Sequence, residues 1–219
     1  DISVTSLALA GIAIPPYMEG RNLFSPAYKP RSFVVSARDR CDYTIERIRT
    51  IRTERYRYLR NFLTDRPWMQ PQYRDGRDYT KEMKALFAAG KLAPVQARFM
   101  GPKKPAEELY DHSTDPHEIN NLAADPGYSK ILEAHREILT GWMKKTGDKG
   151  QEPESTAGLA QVYFRWKGTC VNPEYEPVRE KYSEFLNKIT DKAKATAEAR
   201  KKKLREERRK KRQRDKKEG

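Results

Sequence analysis

Cysteine, histidine and long apolar runs are scarce in this 219-residue sequence, and their scarcity limits what the protein can be. Two cysteines, Cys41 and Cys170, are too few and too far apart to define a redox compartment. No apolar run approaches the roughly 20 residues that a membrane-spanning helix needs. The opening DISVTSLALAGI lacks a charged leader and a cleavage site, so it is a poor signal peptide. Because the sequence opens at Asp1 rather than Met, we expect it to be part of a longer chain.

Motifs of common enzyme classes are missing as well. The sequence has no Gly-x-Ser-x-Gly, the nucleophile elbow that would present the serine of a Ser-His-Asp triad. It also has no glycine-rich loop of the kind that cradles phosphate groups. Any catalytic hypothesis must therefore rest on clusters of polar and charged residues, which are less specific than these motifs.

Positive charge is plentiful but unevenly distributed. The net charge is +14, and residues 200–219 supply +9 of it, with 13 Lys/Arg against 4 Asp/Glu. Such a tail can hold nucleic acid, a sulfated glycan or an anionic membrane by charge neutralisation, but it lacks the interleaved aromatics that favour base recognition. A solvated terminal helix without a partner is an equally good interpretation. The candidate residues for an anionic polymer are Arg200, Lys201, Lys202, Lys203, Arg208, Arg209, Lys210, Lys211 and Arg212.

Alternation of apolar and polar residues predicts β-strands in the first half of the chain. A short turn at Thr53 and Glu54 indicates an antiparallel hairpin between the two middle strands, the first of which is expected to be half-buried. A later segment, LAQVYFRWKGT, is expected to be a further strand or a docking segment. The four main strands are expected within residues 31–39, 45–53, 55–62 and 107–112.

One long amphipathic stretch predicts the main helix, at residues 126–145. Asp125 is its expected cap and Gly147 marks its end, while Leu139 and Trp142 belong to its apolar stripe. His135 lies in the same stripe, where a packed histidine is expected rather than a ligand. The predicted fold class is therefore α+β: an antiparallel sheet of about four strands packed on this helix, followed by a basic helical tail. Short helices are also expected at residues 79–89 and 92–99.

The stretch ELYDHSTDPHEINNLA, residues 108–123, contains two of the three histidines. His112 and His117 lie near Asp111, Asp115 and Glu118, so a cation site is conceivable. Carboxylates in turns more often accept hydrogen bonds from backbone amides, and a structural role is the favoured interpretation.

A second candidate is the charged segment around Cys41. Arg38, Asp39 and Arg40 directly precede this cysteine, and cationic neighbours can activate a thiol. A lone cysteine at the end of a strand is nevertheless expected to serve packing.

Several of these motifs resemble the C-terminal region of type I sulfatases, a family of the alkaline-phosphatase-like superfamily. ELYDHSTDPHEINNLA resembles the family's Glu-Leu-Tyr-Asp, Asp-Pro-x-Glu and Asn-Leu-Ala series, and DISVTSLALAGI resembles the segment that closes the large sulfatase domain, which usually has Pro where Val4 stands. SARDR and IRTIRTERYRYLRNF are similar to the following strands in the heparan N-sulfatase-like branch. The resemblance covers residues 1–147 and implies a fragment of a larger α/β sulfatase fold.

The resemblance implies that catalysis belongs to a large N-terminal domain, the expected partner of this region. There a Cys/Ser-x-Pro-x-Arg motif supplies a formylglycine, and carboxylate and amide side chains hold calcium. Cys41 is followed by DYTI and Cys170 by VNPE, so neither fits that motif, and no cofactor or metal is expected in this chain. Sulfuric-ester or sulfamate hydrolysis and a secreted or periplasmic location are likewise implied. The expected divisions are residues 1–30 (end of the large domain and connection), 31–147 (C-terminal subdomain), 148–175 (linker or docking segment) and 176–219 (charged tail).

Three residues are expected to lie near substrate in such an enzyme. The resemblance places the end of the first strand, with Arg38, Asp39 and Arg40, beside the catalytic cleft. Guanidinium groups bind sulfate and carboxylate oxygens through paired hydrogen bonds. An ion-paired strand end without contact to substrate is the alternative.

Overall fold

A four-stranded antiparallel sheet with strand order β1-β2-β3-β4 organises the protein. The computed structural model describes residues 1–183, 196 and 198–201. The strands are Val34–Cys41 (β1), Thr44–Arg52 (β2), Tyr56–Asn61 (β3) and Glu107–Asp111 (β4). All four predicted main strands are confirmed, as is the α+β class.

The hairpin between β2 and β3 turns at the predicted place. The amide of Thr53 donates to the carbonyl of Tyr56 at 2.9 Å, and the Thr53 hydroxyl accepts from the Tyr56 amide at 3.1 Å. Strand β3 then pairs antiparallel with β4, with Tyr58 opposite Leu109 and Arg60 opposite Glu107. The threonine side chain thus reinforces a tight turn that contains no glycine.

The chain divides into two compact units. The first unit comprises Asp1–Ala37, Arg49–Arg60 and Glu107–Asp148. The second comprises Arg38–Ile48, Asn61–Ala106 and the described part of Lys149–Gly219. Each has its own buried apolar cluster.

The first unit contains helices Ile2–Leu9 (α1) and Ser129–Thr146 (α4). Asp125 accepts a hydrogen bond from the amide of Gly127 at 2.8 Å and starts a short 3₁₀ turn, Pro126–Tyr128, that leads into α4. Gly147 ends α4 with φ of 65°, a left-handed conformation that suits glycine. The predicted helix and both of its end signals are confirmed. The core of the first unit is formed by Ile51, Tyr58, Leu109, Leu132 and Leu139, and Trp142 is partly buried against this core.

His135 serves packing in the first unit, as predicted. It is 5% exposed, its Nδ1 lies 2.7 Å from the carbonyl oxygen of Ile131, and its Nε2 lies 3.3 Å from the hydroxyl of Thr53. Both ring nitrogens therefore have partners within the fold.

The second unit contains helices Asp78–Ala88 (α2), Pro94–Phe99 (α3) and Thr156–Trp166 (α5). The two predicted short helices are confirmed, but the strand prediction for LAQVYFRWKGT is wrong, because this segment forms most of α5. Ser155 caps it by accepting a hydrogen bond from the Gly158 amide at 3.2 Å. Helical geometry places its apolar residues on one face, which packs into the cluster of Tyr43, Ile45, Leu159, Ala160, Cys170, Tyr175 and Val178.

Strand β2 is buried on both faces, so the prediction of a half-buried strand is wrong. Ile45 and Ile51 are buried as expected, but Glu46, Arg49 and Thr50 are buried too. Polar partners cover Arg49, whose Nε donates to Asp148 at 2.9 Å, and Glu46, as described below. Alternation alone does not reveal a polar face that is also buried.

Only parts of the predicted basic tail fall within the described residues. Residues 176–183 and 198–201 are helical, and Arg200 and Lys201 are exposed. No helix in the described part of the chain is long and apolar enough to cross a membrane. The remaining tail candidates, Lys202, Lys203, Arg208, Arg209, Lys210, Lys211 and Arg212, lie outside the described residues.

Candidate functional site

The charged end of β1 forms an exposed edge of the sheet. Within this strand only Val35 is partly buried, and every residue from Ser36 to Cys41 is exposed. Arg38, Asp39 and Arg40 therefore follow one another on a strand whose side chains reach solvent on both faces. The predicted substrate-proximal residues are thus accessible, as a binding role requires.

Arg40 is held at this edge by contacts within the second unit. Its Nε donates to Oε1 of Glu154 at 3.0 Å, and its Nη1 donates to the carbonyl of Asp42 at 2.7 Å. Both side chains of the ion pair are about one-third exposed. Arg40 therefore braces the turn after β1 while part of its guanidinium faces solvent.

The turn between β1 and β2 begins with a strained residue. Asp42 has φ of 51°, a left-handed conformation that aspartate tolerates better than most residues. The preceding Cys41 is exposed, so the prediction that this cysteine serves packing is wrong. The buried cysteine is Cys170, whose thiol pKa is raised by burial.

A buried ionic cluster, here called the Glu46 cluster, lies in the second unit and consists of Glu46, Gln70 and Lys104. The ammonium of Lys104 and Nε2 of Gln70 both donate to Oε2 of Glu46, the latter at 2.9 Å. Oε1 of Glu46 accepts from the amide of Arg47 at 3.0 Å. All three side chains are at least nine-tenths buried, so the carboxylate is satisfied entirely by protein groups.

Electrostatics connects this cluster to the charged strand end. Burial lowers the pKa of Lys104, the hydrogen bond to Glu46 opposes that change, and the nearby positive charges of Arg66 and Arg38 lower the pKa further. Arg38 therefore lies within electrostatic reach of Lys104.

Arg66 and Asn172 complete the polar interior of the second unit. Burial disfavours the charge on Arg66, but hydrogen bonds to Asp65 and Glu174 raise its pKa above the ordinary value. Nδ2 of Asn172 donates to Gln70 at 2.9 Å, and its Oδ1 accepts from the amide of Ile45 at 3.0 Å. Sequence reasoning missed this network because hydrogen-bonded partners in it lie up to 127 positions apart.

The segment 108–123 is structural. Asp115 accepts from the amide of Asn120 at 2.7 Å, which confirms the turn role predicted for it. Asn121 bridges the loop to β4: its Oδ1 accepts from the amides of Leu109 and Ala123, each at 3.0 Å, and its Nδ2 donates to Glu107.

Three other groups proposed for a cation site in this segment, Asp111, His112 and Glu118, also have protein partners, and His117 is exposed. Glu118 accepts from Nη1 of Arg57 and lies 2.8 Å from Nε2 of His112. Hydrogen bonds from Arg55 and Ser113 hold the pKa of Asp111 well below its usual range. Among the described residues, no group of three His, Cys, Asp or Glu side chains is arranged to hold a metal ion.

Comparison with known proteins gives these features a context. No family model matches the chain. An ulvan-active sulfatase of Formosa agariphila is 34% identical over 176 residues, which is 79% of this chain and 29% of that protein. The N-sulphoglucosamine sulphohydrolase of Homo sapiens is 51% identical over 41 residues, 19% of this chain and 8% of the human protein. A solved 2-O GAG sulfatase is 26% identical, with a TM-score of 0.47 over 70% of this chain and 26% of its own. The chain thus spans less than a third of each relative named here.

Proposed function

We propose that this chain, which is a C-terminal sulfatase-like region, completes the substrate cleft of a sulfuric-ester or sulfamate hydrolase whose nucleophile and metal site lie in another part of the enzyme. The chain aligns with less than a third of each of these sulfatase relatives. We place the catalytic chemistry in the part of the enzyme to which this chain does not align. Residues 1–30 would then join the catalytic part, 31–147 would form the subdomain at the cleft, 148–175 would dock on it, and 176–219 would form the charged tail.

The observation that carries this proposal is the exposed apolar surface of the first 24 residues. Ile2 and Leu9 of α1 are 78% and 69% exposed, and Tyr17 and Phe24 of the following connection are 81% and 74% exposed. Four large apolar side chains that are exposed within 24 residues point to a surface that another part of the enzyme covers. We propose that the catalytic part of the enzyme packs against this apolar surface.

We infer that the catalytic groups of the sulfatase lie outside this chain. Neither cysteine belongs to a Cys/Ser-x-Pro-x-Arg sequence, and the carboxylates of Asp111, Asp115 and Glu118 are already used by arginine, backbone and histidine partners. No step of the reaction is therefore assigned to residues of this chain.

The contribution proposed for the chain is recognition of the anionic substrate. Arg38 and Arg40 stand on an exposed strand edge, where their positive charges can reach an anionic ligand. A sulfated or carboxylated sugar offers oxygen pairs that match a guanidinium group. Asp39 between them can accept a hydrogen bond from a sugar hydroxyl.

A chimera tests the proposal. The matched part of the Formosa agariphila ulvan-active sulfatase is replaced by this chain, and sulfate release from ulvan is measured beside the same enzyme with that part deleted. We expect the chimera to release sulfate, the deleted enzyme to release none, and the purified 219-residue chain alone to hydrolyse neither aryl sulfate nor N-sulfated sugar. Turnover by the chain alone, or a chimera no better than the deletion, would contradict the proposal.

The basic tail supports a rival function, binding of an anionic polymer without catalysis. Residues 200–219 carry a net charge of +9. The rival predicts salt-dependent retention on heparin or DNA that is lost when these residues are removed. Retention that survives the truncation, or that is absent in the complete chain, excludes it.

A further inference from the structure

A cavity of about 1000 Å³ opens in the first unit, between the connection after α1 and the last turn of α4. Three cationic side chains line it, those of Arg21, Arg31 and Lys145, together with the aromatic rings of Phe33 and Trp142. Its volume lies at the upper end of the range for small-molecule sites, about 300–1,000 Å³, so it can hold more than a single small ion. It shares no residue with the charged end of β1.

Asp1 fixes one wall of the cavity. Its Oδ1 accepts from Nη2 of Arg31 at 2.7 Å and from the amide of Arg21 at 2.8 Å. Gly20 brings the same wall close to α1, since a Cβ at that position would lie 2.6 Å from Cγ2 of Val4. The guanidinium of Arg21 donates to the carbonyl of Lys29 at 2.8 Å, and that of Arg31 donates to Asp1. Both side chains are therefore positioned before any ligand arrives, which reduces the entropy lost on binding.

The opposite wall is a helix surface. Trp142 and Lys145 lie three residues apart on α4 and thus on the same side of the helix. Trp142 is partly buried against the core, so its ring is held in place. Lys145 is exposed, so its ammonium can reach a ligand in the cavity.

We propose that this cavity binds an anionic saccharide, with Lys145 and Arg21 on a sulfate or carboxylate group and Trp142 against the apolar face of a sugar ring. Three cations face two carboxylates, Asp1 and Glu19, and Asp1 is already paired with Arg31, so the cavity favours an anion. The exposed carboxylate of Glu19 can accept hydrogen bonds from hydroxyl groups, which a sugar has and a simple inorganic anion lacks.

A titration of the 219-residue chain with a sulfated uronic-acid disaccharide tests this site. The indole N–H signal of Trp142, identified by its disappearance in Trp142→Phe, reports binding in the cavity separately from binding at the basic tail. We expect a saturable shift of this signal with the sulfated disaccharide, and a much weaker one with the same disaccharide after its sulfate groups are removed. No shift of the Trp142 signal, or equal affinity for the two sugars, would overturn the proposal.

Two adjacent lysines supply a matched pair of variants. Lys145→Ala is expected to weaken binding at Trp142 roughly ten- to a hundredfold, the loss typical of one charged hydrogen bond. Lys144→Ala removes the same charge from the same turn of α4 but from outside the cavity, and it should leave the dissociation constant within about twofold. If the two variants weakened binding equally, the affinity would depend only on the overall charge of the protein. That result would overturn the placement of the disaccharide beside Lys145.

Discussion

Glu46 and Lys104 form an ion pair whose two side chains are 1% and 0% exposed, although they lie 58 residues apart in the sequence. A charge is expensive to bury alone, so each member depends on the other and on the amide of Gln70. The pair fixes the segment around Lys104 against β2.

Removing one member of this pair should destabilise the protein strongly. Lys104→Met leaves a buried carboxylate without its counter-ion, and we expect the free energy of unfolding in urea to fall by about 3–5 kcal/mol. Lys103→Met, at an exposed neighbouring position, is the matched control and should change it by less than about 0.5 kcal/mol. The double variant Glu46→Leu/Lys104→Met should recover part of the loss, because no charge then stays buried. Similar stability of the two single variants would contradict the role assigned to the pair.

The packing of α4 on the sheet gives a second prediction. Leu139 is 3% exposed within the core of the first unit, and Leu139→Ala should lower the free energy of unfolding by about 2–5 kcal/mol. Thr140→Ala changes the next residue of the helix, which is exposed, and serves as the control. A loss below about half a kilocalorie for Leu139→Ala would mean that α4 is not docked in solution.

Acid should destabilise the first unit through Glu107. Hydrogen bonds from Arg136 and Tyr58, together with the charge of Arg60, lower the pKa of this carboxyl to about 2 from an ordinary value of 4.5. In the unfolded chain, Glu107 therefore binds a proton at a higher pH than it does in the folded protein. The stabilisation that its carboxylate provides is complete above pH 4.5 and is lost as the pH falls towards 2.

The variant Glu107→Gln isolates this contribution. It keeps the shape of the side chain without the titrating group, so its stability should decline less than that of the unaltered protein when urea unfolding is repeated between pH 6 and pH 2. Parallel decline of the two proteins would show that Glu107 titrates normally. Glu152→Gln, at an exposed position in the second unit, controls for the change in net charge.

The role of Arg38 and Arg40 can be decided by measuring activity and thermal stability together in the sulfatase chimera. We expect Arg38→Ala to reduce kcat/KM roughly ten- to a hundredfold, because a charged contact to substrate is lost. Its Tm should change only slightly, because interactions at an exposed position contribute little to stability. Arg40→Ala should reduce kcat/KM to a similar extent and lower Tm slightly, since its exposed ion pair with Glu154 is worth about 0–1 kcal/mol. Arg74→Ala, at an exposed loop position, is the control. An unchanged kcat/KM would remove both arginines from the substrate site.

Local signals account for the parts of the fold that the sequence could predict. The hairpin at Thr53, the end of α4 at Gly147 and the turn at Asp115 each depend on residues within a few positions of one another. The strand prediction for LAQVYFRWKGT failed because a short apolar run suits a helix or a strand equally well, and the cap at Ser155 decides for the helix. The Glu46 cluster could not be predicted, since no local pattern relates Glu46 to Lys104.

The exposed edge of β1 has a consequence for solubility. An edge strand carries backbone groups on which another molecule can add a strand of its own, and proteins commonly prevent this with charged side chains. Arg38, Asp39 and Arg40 place three charges in a row on such an edge, separated from Val35 by two residues. Replacing all three with uncharged β-forming residues would leave a long apolar edge, on which copies of the protein could join their sheets and aggregate.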